Sequence, residues 1–194
     1  MPKIILASKS EIRKKILEDN NIDCEMIPSN LDEEPIKTHL MNDGASPELI
    51  SKNLAELKAN KVSLSQRDKL VLGADSVINL EENIISKPKD RKEAFEILGK
   101  LNGKKHELIS SVCISRNGNM IWNYSDKAIL EMKNFKNEYL KNYLSKITDK
   151  ALYSYNVYQI EGEGKKLFNS IEGDLTTVMG LPIVKIKNYL ENLR

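Results

Sequence analysis

"HELISSVCISRNGNMIWNYSDKAILEM", residues 106–132, reads as two long strands joined at Asn117-Gly118-Asn119. Asn-Gly between strand-like runs is a strong hairpin signal, because both residues accept the positive φ of a two-residue turn. A hairpin here puts antiparallel neighbours in the middle of the chain. Just upstream, "KLVLGADSVINLEENIISKP" (69–88) predicts a strand, a bend marked by Gly73 and a second hairpin around Glu81-Glu82-Asn83. "DRKEAFEILGKLNG" (90–103) predicts a helix between them, with Asp90 as N-cap and a glycine stop.

Further out, helices and short strands alternate. Ile4-Ile5-Leu6-Ala7 predicts a buried first strand, and residues 11–20 a helix capped by Ser10 with Ile12, Ile16 and Leu17 on one face. "CEMIP" (24–28) predicts a second strand, and "SNLDEEP" (29–35) an acidic turn or loop. Ser46-Pro47 opens a helix over 46–62, a cap followed by proline at the first helical position. Residues 136–147 predict an amphipathic helix. Residues 155–193 mix strand, glycine-rich turns and a closing helix that starts near Pro182. Interleaved helices and strands with central hairpins define an α/β or α+β class with a mixed sheet.

The chain has 194 residues, which suits one domain over 1–194 with a real core. Thirty basic and 28 acidic residues leave a net charge of +2, so nothing in bulk charge points to stable nucleic-acid binding or a membrane surface. The apolar run at the N-terminus is too short for a signal peptide, and no stretch approaches a membrane span. Cys24 and Cys113 have no paired spacing and read as buried thiols of a cytoplasmic protein. With only His39 and His106, a histidine metal cluster or a Ser-His-Asp triad has little to draw on.

Four places carry residues suited to chemistry. Ser8, Ser10 and Arg13 surround a helix start, where free N–H groups and hydroxyls suit a phosphate; a plain cap with a solvated Arg13 is the competing reading. Asp75 sits among apolar residues in "VLGADSVI" (71–78), where a carboxylate needs pairing, a metal or a proton; a general base, a Mg²⁺ ligand and a turn residue all remain open. Asp32-Glu33-Glu34 with Lys58 and Lys87 suits a hard cation and phosphates, or a solvated surface. Glycines 162, 164, 173 and 180 punctuate the last quarter, with Glu161 before the first.

Read together, these pieces resemble the Maf-like nucleotide pyrophosphatase family. The resemblance rests on Leu6-Ala7-Ser8-Lys9-Ser10 with Arg13, Asp32-Glu33, Leu54-Ala55 with Lys58-Ala59, Gly73-Ala74-Asp75-Ser76, and Lys87-Pro88. It continues through Leu101, Gly103-Lys104 and His106 to Glu161-Gly162, Gly164, Ile171-Glu172-Gly173-Asp174, Val178 and Gly180-Leu181-Pro182, in order along the whole chain. It implies an α/β protein with a mixed, strongly curved sheet, flanking helices and two lobes around a cleft, similar to the inosine triphosphate pyrophosphatase fold. It also implies hydrolysis of a nucleoside triphosphate to the monophosphate and pyrophosphate, a required Mg²⁺ or Mn²⁺, and a homodimer.

On that resemblance Asp75 is the base, Glu33 and Asp75 hold the metal, and Ser8, Ser10, Arg13, Lys58 and Lys87 hold the substrate's phosphates. Pyrimidine-directed members look like S-x-RR, with Thr after the GAD motif and Gln before the later Gly-x-Gly. Here Ile12, Ser76 and Glu161 stand at those base-reading places. The 7-methyl-GTP branch is similar at Glu161 but has a bulky aromatic near position 12. Lys150-Ala151-Leu152 and the Tyr/Asn run after it also depart from the family pattern. A carboxylate at 161 suits purine N–H donors or a cationic methylated purine. The competing function is a non-catalytic nucleotide-binding regulator linked to cell division.

Overall fold

A computed structural model describes residues 2–149, 151–152 and 157–193. Lys150 and Tyr153–Asn156, within the segment that departs from the family pattern, lie outside the described residues. The strands are β1 (Ile4–Leu6), β2 (Cys24–Met26), β3 (Leu70–Leu80), β4 (Asn83–Ile85), β5 (Lys105–Arg116), β6 (Asn119–Met132) and β7 (Phe168–Glu172). The helices are α1 (Glu11–Asp19), α2 (Glu33–Asn42), α3 (Pro47–Ser63), α4 (Arg91–Leu101), α5 (Asn137–Lys146), α6 (Leu175–Val178) and α7 (Ile183–Glu191), with a 3₁₀ turn at Glu163–Leu167.

The strands form one mixed sheet in the order β2-β1-β3-β5-β6-β7, with β4 on β3. β1 runs parallel to both β2 and β3, and the β3/β5, β5/β6, β6/β7 and β3/β4 pairs are antiparallel. Both expected hairpins are present. Glu81 and Glu82 have φ of 52° and 64°, and Asn117 and Gly118 have 53° and 81°. Positive φ at both central residues is the twist that joins antiparallel strands tightly.

Two expectations are corrected. Residues 29–35 are not simply a loop, because α2 starts at Glu33. Asp32 stands at its N-cap, and Glu33 and Glu34 fill the first turn, where negative charge meets the positive end of the helix dipole favourably. No α2 residue is fully buried, and Ile36 and Leu40 make only a short, half-buried apolar stripe, a weak signal for a sequence reading. Gly73 does not mark a bend either. β3 runs unbroken through it, because α3 presses on the strand there. A Cβ at Gly73 would lie 2.2 Å from the Ala55 carbonyl oxygen and 2.7 Å from the Ala59 nitrogen.

The even-numbered face of β3 and β5 carries two apolar cores. One gathers Leu70, Leu72, Ala74, Val112 and Ile114 with α1 and α7; the other gathers Ile78, Leu80 and Leu108 with α4, α5 and β7. Ser76 and Ser110 interrupt the apolar face between them. On the odd face, α3 covers Val71, Gly73 and Cys113 through Ala55, Ala59 and Val62. Cys24 and Cys113 are free and buried, as expected.

Pairing along β3 positions everything that follows. β5 pairs one edge of it from Val71 to Asn79. On the other edge, β1 pairs Leu70–Leu72 and β4 pairs Ile78–Leu80. Residues 73–77 have no strand partner on that edge. The connection from β1 passes through α1 on the even face, and the one from β2 returns through α3 on the odd face. The gap therefore opens toward both faces, much as ligand clefts form where crossovers diverge in other α/β sheets. Gly73→Ala is expected to destabilise the protein by about 3 kcal/mol, as overpacking against helix backbone, measured by denaturant unfolding.

Candidate active site

The gap in the sheet edge opens into a cleft of about 530 Å³. Of the residues singled out from the sequence, Ser8, Ser10, Ile12, Arg13, Glu33, Lys58, Asp75, Ser76, Lys87 and Glu161 line it, with Glu34 and Gly180, whereas Asp32, Gly162, Gly164 and Gly173 do not. Gly180 aside, those that line it come from the link between β1 and α1 and the start of α1, from α2, α3 and β3, from the segment after β4, and from the turn after Tyr158.

At the α1 end, Ser10 is the N-cap and accepts the Arg13 N–H at 3.4 Å. Ser8 Oγ accepts the Ser10 N–H at 3.2 Å. Both hydroxyls thus serve as acceptors within the chain, which leaves their own protons to donate into the cleft. The cap and the phosphate cradle are compatible uses of the same residues.

Arg13 is held by the protein itself. Its Nε donates to Gly180 O at 2.9 Å, Nη1 to Ala74 O at 2.9 Å and to Ser8 Oγ at a long 3.5 Å, and Nη2 to Ser76 Oγ at 3.1 Å. Of the five guanidinium N–H groups, one on Nη2 remains. Arg13 therefore offers the cleft its charge and a single N–H rather than a fork. Burial pushes its pKa down, and the nearby charges of Asp75 and Glu33 push it back up.

The protons of the adjoining hydroxyls can be placed. Ser110 Oγ donates to Thr177 O at 2.8 Å, which uses its only hydrogen. The 2.8 Å contact between Ser76 Oγ and Ser110 Oγ must then be donated by Ser76. The chain runs from Arg13 through Ser76 and Ser110 to the Thr177 carbonyl. Ser76 has no hydrogen left for a base, and its part in the cleft is to accept from Arg13.

On the odd side, Lys58 projects from the buried stripe of α3 and is 7% exposed. Its ammonium lies 2.7 Å from Asp75 Oδ1 and 3.0 Å from Glu33 Oε2. Asp75, mid-strand and 6% exposed, is not a turn residue; its Oδ2 is buried without a hydrogen-bond partner. Lys87 stands two residues beyond β4. Loss of solvent in the cleft lowers its pKa first, followed by the Arg13 charge, against the pull of Asp75.

The far end is apolar: Ile78, Ile84, Ile85, Leu108, Ile160, Val178 and Met179. Glu161 stands exposed at its rim and accepts from the Gln159 amide at 3.3 Å. Ile12 reaches the cleft while packing on the α1 core. The sequence reading missed Lys37, which lines the cleft from α2 and pairs with Glu34 at 3.3 Å. It also missed the supporting hydroxyl of Ser110 and the Thr177 carbonyl that accepts from it. The i, i+4 spacing of Glu33 and Lys37 was the signal for Lys37, once α2 is recognised as a helix.

A mixed-sheet α/β protein with a cation-rich cleft at a gap in its sheet is the class defined by this geometry. The chain belongs to the Maf-like protein family, whose profile matches residues 3–193. It is 63% identical over 191 residues to a nucleoside triphosphate pyrophosphatase of Pelagibacter ubique, covering 98% of each chain. It is 35% identical to a 7-methyl-GTP pyrophosphatase of Rhizobium etli, covering 99% of this chain and 96% of the other. Among solved structures, the Staphylococcus aureus Ham1 protein aligns with 68% of this chain and 72% of its own at 16% identity and a TM-score of 0.40, a likeness too slight to bear on the site.

Arg13→Lys is expected to lower stability by about 2–3 kcal/mol in denaturant unfolding. One ammonium cannot reach Gly180, Ala74 and Ser76 together, and the carbonyls it abandons are part-buried.

Proposed function

We propose that this protein is a nucleoside triphosphate pyrophosphatase, one domain over 1–194, which cleaves the α–β phosphoanhydride to give a nucleoside monophosphate and pyrophosphate. One observation carries the reading. A buried carboxylate oxygen with no partner, Asp75 Oδ2, stands in a nucleotide-sized cleft beside hydroxyl and cationic groups suited to phosphates. The relatives' names agree with it.

In this reading Ser8, Ser10, Arg13, Lys58 and Lys87 hold the phosphates, and fixed donors of this kind stabilise the charge that spreads over phosphoryl oxygens. A water held by Asp75 Oδ2 attacks phosphorus in line. Its oxygen bonds to phosphorus, the bond to the bridging oxygen breaks, and Asp75 takes the water's proton. Lys58 fixes the carboxylate through Oδ1, so that Oδ2 faces the water.

The donor set fits a divalent cation. Asp75 and Glu33 supply hard oxygens around one ammonium, and Mg²⁺ is commonly held by one or two carboxylates together with substrate phosphates. Bound there, Mg²⁺ or Mn²⁺ would neutralise phosphate charge and acidify water. Among the described residues no three His, Cys, Asp or Glu side chains converge as a metal group. Binding should therefore depend on the nucleotide. Mn²⁺ titration followed by electron paramagnetic resonance should show weak binding to the free protein, tightened on the order of tenfold or more by an α,β-methylene nucleotide and lost in Asp75→Asn.

The apolar far end with Glu161 at its rim suits a purine or a cationic methylated base. Cytoplasmic location and homodimer assembly belong to the same proposal. Buried free thiols suit a reducing compartment, and no helix among the described residues is long and apolar enough to cross a membrane.

The test is pyrophosphate release from 7-methyl-GTP, UTP, dTTP, ITP and the four common nucleotides with Mg²⁺ or Mn²⁺. Release should fall in Asp75→Asn on the order of 10²–10⁴-fold, the usual general-base contribution, and further if metal is lost. Nucleotide binding with no release from any of them would leave the regulator reading instead.

A further inference from the structure

His106 lies outside the proposed chemistry, yet it stands where the far end of the cleft is supported. It is 3% exposed on β5, and its Nε2 lies 3.0 Å from Tyr158 Oη. The imidazole packs beside Tyr158 at 5.7 Å and Phe168 at 5.9 Å between ring centroids, and Tyr158 meets Phe168 edge-on at 4.9 Å. Burial pushes the imidazole pKa down to about 4, against a weaker upward pull from the Lys104 backbone, so the ring is neutral at physiological pH.

Tyr158 lines the cleft, as do Ile160 and Glu161 just after it. Among the described residues, Gly162 N and Gly164 N both donate to Gln159 O, which closes this turn on itself. The His106–Tyr158 bond ties it to β5. A pair of buried polar rings in an Ile, Leu, Met and Phe core costs desolvation that two phenylalanines would avoid. What the pair adds over an apolar filling is direction, since a hydrogen bond fixes where the Tyr158 ring ends.

β5 alternation shows what that direction serves. His106, Leu108 and Ser110 point to one face. Ser110 supports Arg13 through Ser76, Leu108 lines the cleft, and His106 supports the Tyr158–Glu161 wall. We infer that His106 is a positioning residue for the base-binding end: through Tyr158 it sets the wall that carries Ile160 and Glu161, and so governs nucleobase affinity and selectivity. The inference rests on the nucleotide reading of the cleft but not on turnover.

The test measures dissociation constants by calorimetry with Mg²⁺ present. The probes are α,β-methylene GTP, α,β-methylene UTP and inorganic tripolyphosphate, which has no base. The proteins are wild type, His106→Phe, Tyr158→Phe, which removes a single oxygen, and the double variant. Each single change is expected to weaken the preferred nucleotide about five- to tenfold, the worth of one net hydrogen bond, and to alter the GTP-to-UTP ratio. The double variant should be no weaker than either single one, and tripolyphosphate affinity should not move. His106→Gln, which can still bond Tyr158, should recover part of the loss.

Equal weakening for tripolyphosphate, additive single effects, or unchanged nucleotide affinity in Tyr158→Phe would each overturn the inference and leave the pair a packing feature. A wild type that binds the analogues yet releases no pyrophosphate from nucleotides defeats the enzyme reading while this inference can still hold. A wild type that binds no nucleotide defeats both.

Discussion

The free edge of β3 at residues 73–77 is the constraint on which the rest depends. A strand edge within a domain presents backbone groups that must be satisfied. Here β1 ends at Leu6 and β4 begins its pairing at Ile78, and the interval is taken up by side chains instead of a strand. Arg13 donates to Ala74 O, the next carbonyl along this edge after Leu72 O, which accepts from Ala7 N. The gap therefore leaves room for a ligand and still accounts for this carbonyl. It also brings consecutive residues onto opposite faces: Asp75 meets Lys58 from α3, and Ser76 meets Arg13 from α1.

That alternation separates two kinds of support. On the odd face, a lysine lies between two carboxylates and leaves one Asp75 oxygen without a partner. Charge pairing does the work there, and the Lys58–Asp75 pair is buried, where such interactions are stronger than at a surface. On the even face, a directed hydroxyl chain ends on a main-chain carbonyl and holds a guanidinium with almost no freedom. The lysine end concentrates charge around a reactive oxygen, whereas the arginine end gives up most of its donors to rigidity.

Much of this was legible in the residues. The central hairpins, the capped helices α1, α3 and α4, and the mixed sheet follow from turn chemistry, caps and periodicity, which are local properties. The residues singled out for chemistry were found as motifs scattered along the chain, and most of them reach one cleft, Asp32 being an exception. α2 was not legible, because a helix with no fully buried residue leaves only a short apolar stripe, here Ile36 and Leu40. The continuity of β3 through Gly73 was hidden because the glycine answers a contact with α3, distant in sequence, and not a local turn. Lys58 could be suspected from its place on the apolar face of a helix, but its two carboxylate partners could not.

The sequence by itself determined most of the elements and the mixed character of the sheet, which rest on residue types at short spacing, and, through motifs in order along the chain, the family to which it is similar. Only the tertiary structure decided how the side chains are used. Arg13 keeps one free N–H because four acceptors from three separate segments converge on it, and Ser76 donates to Ser110 because Ser110 has spent its proton on Thr177. Such assignments depend on which long-range neighbours consume a fixed number of hydrogens, and that count closes only when the chain is folded.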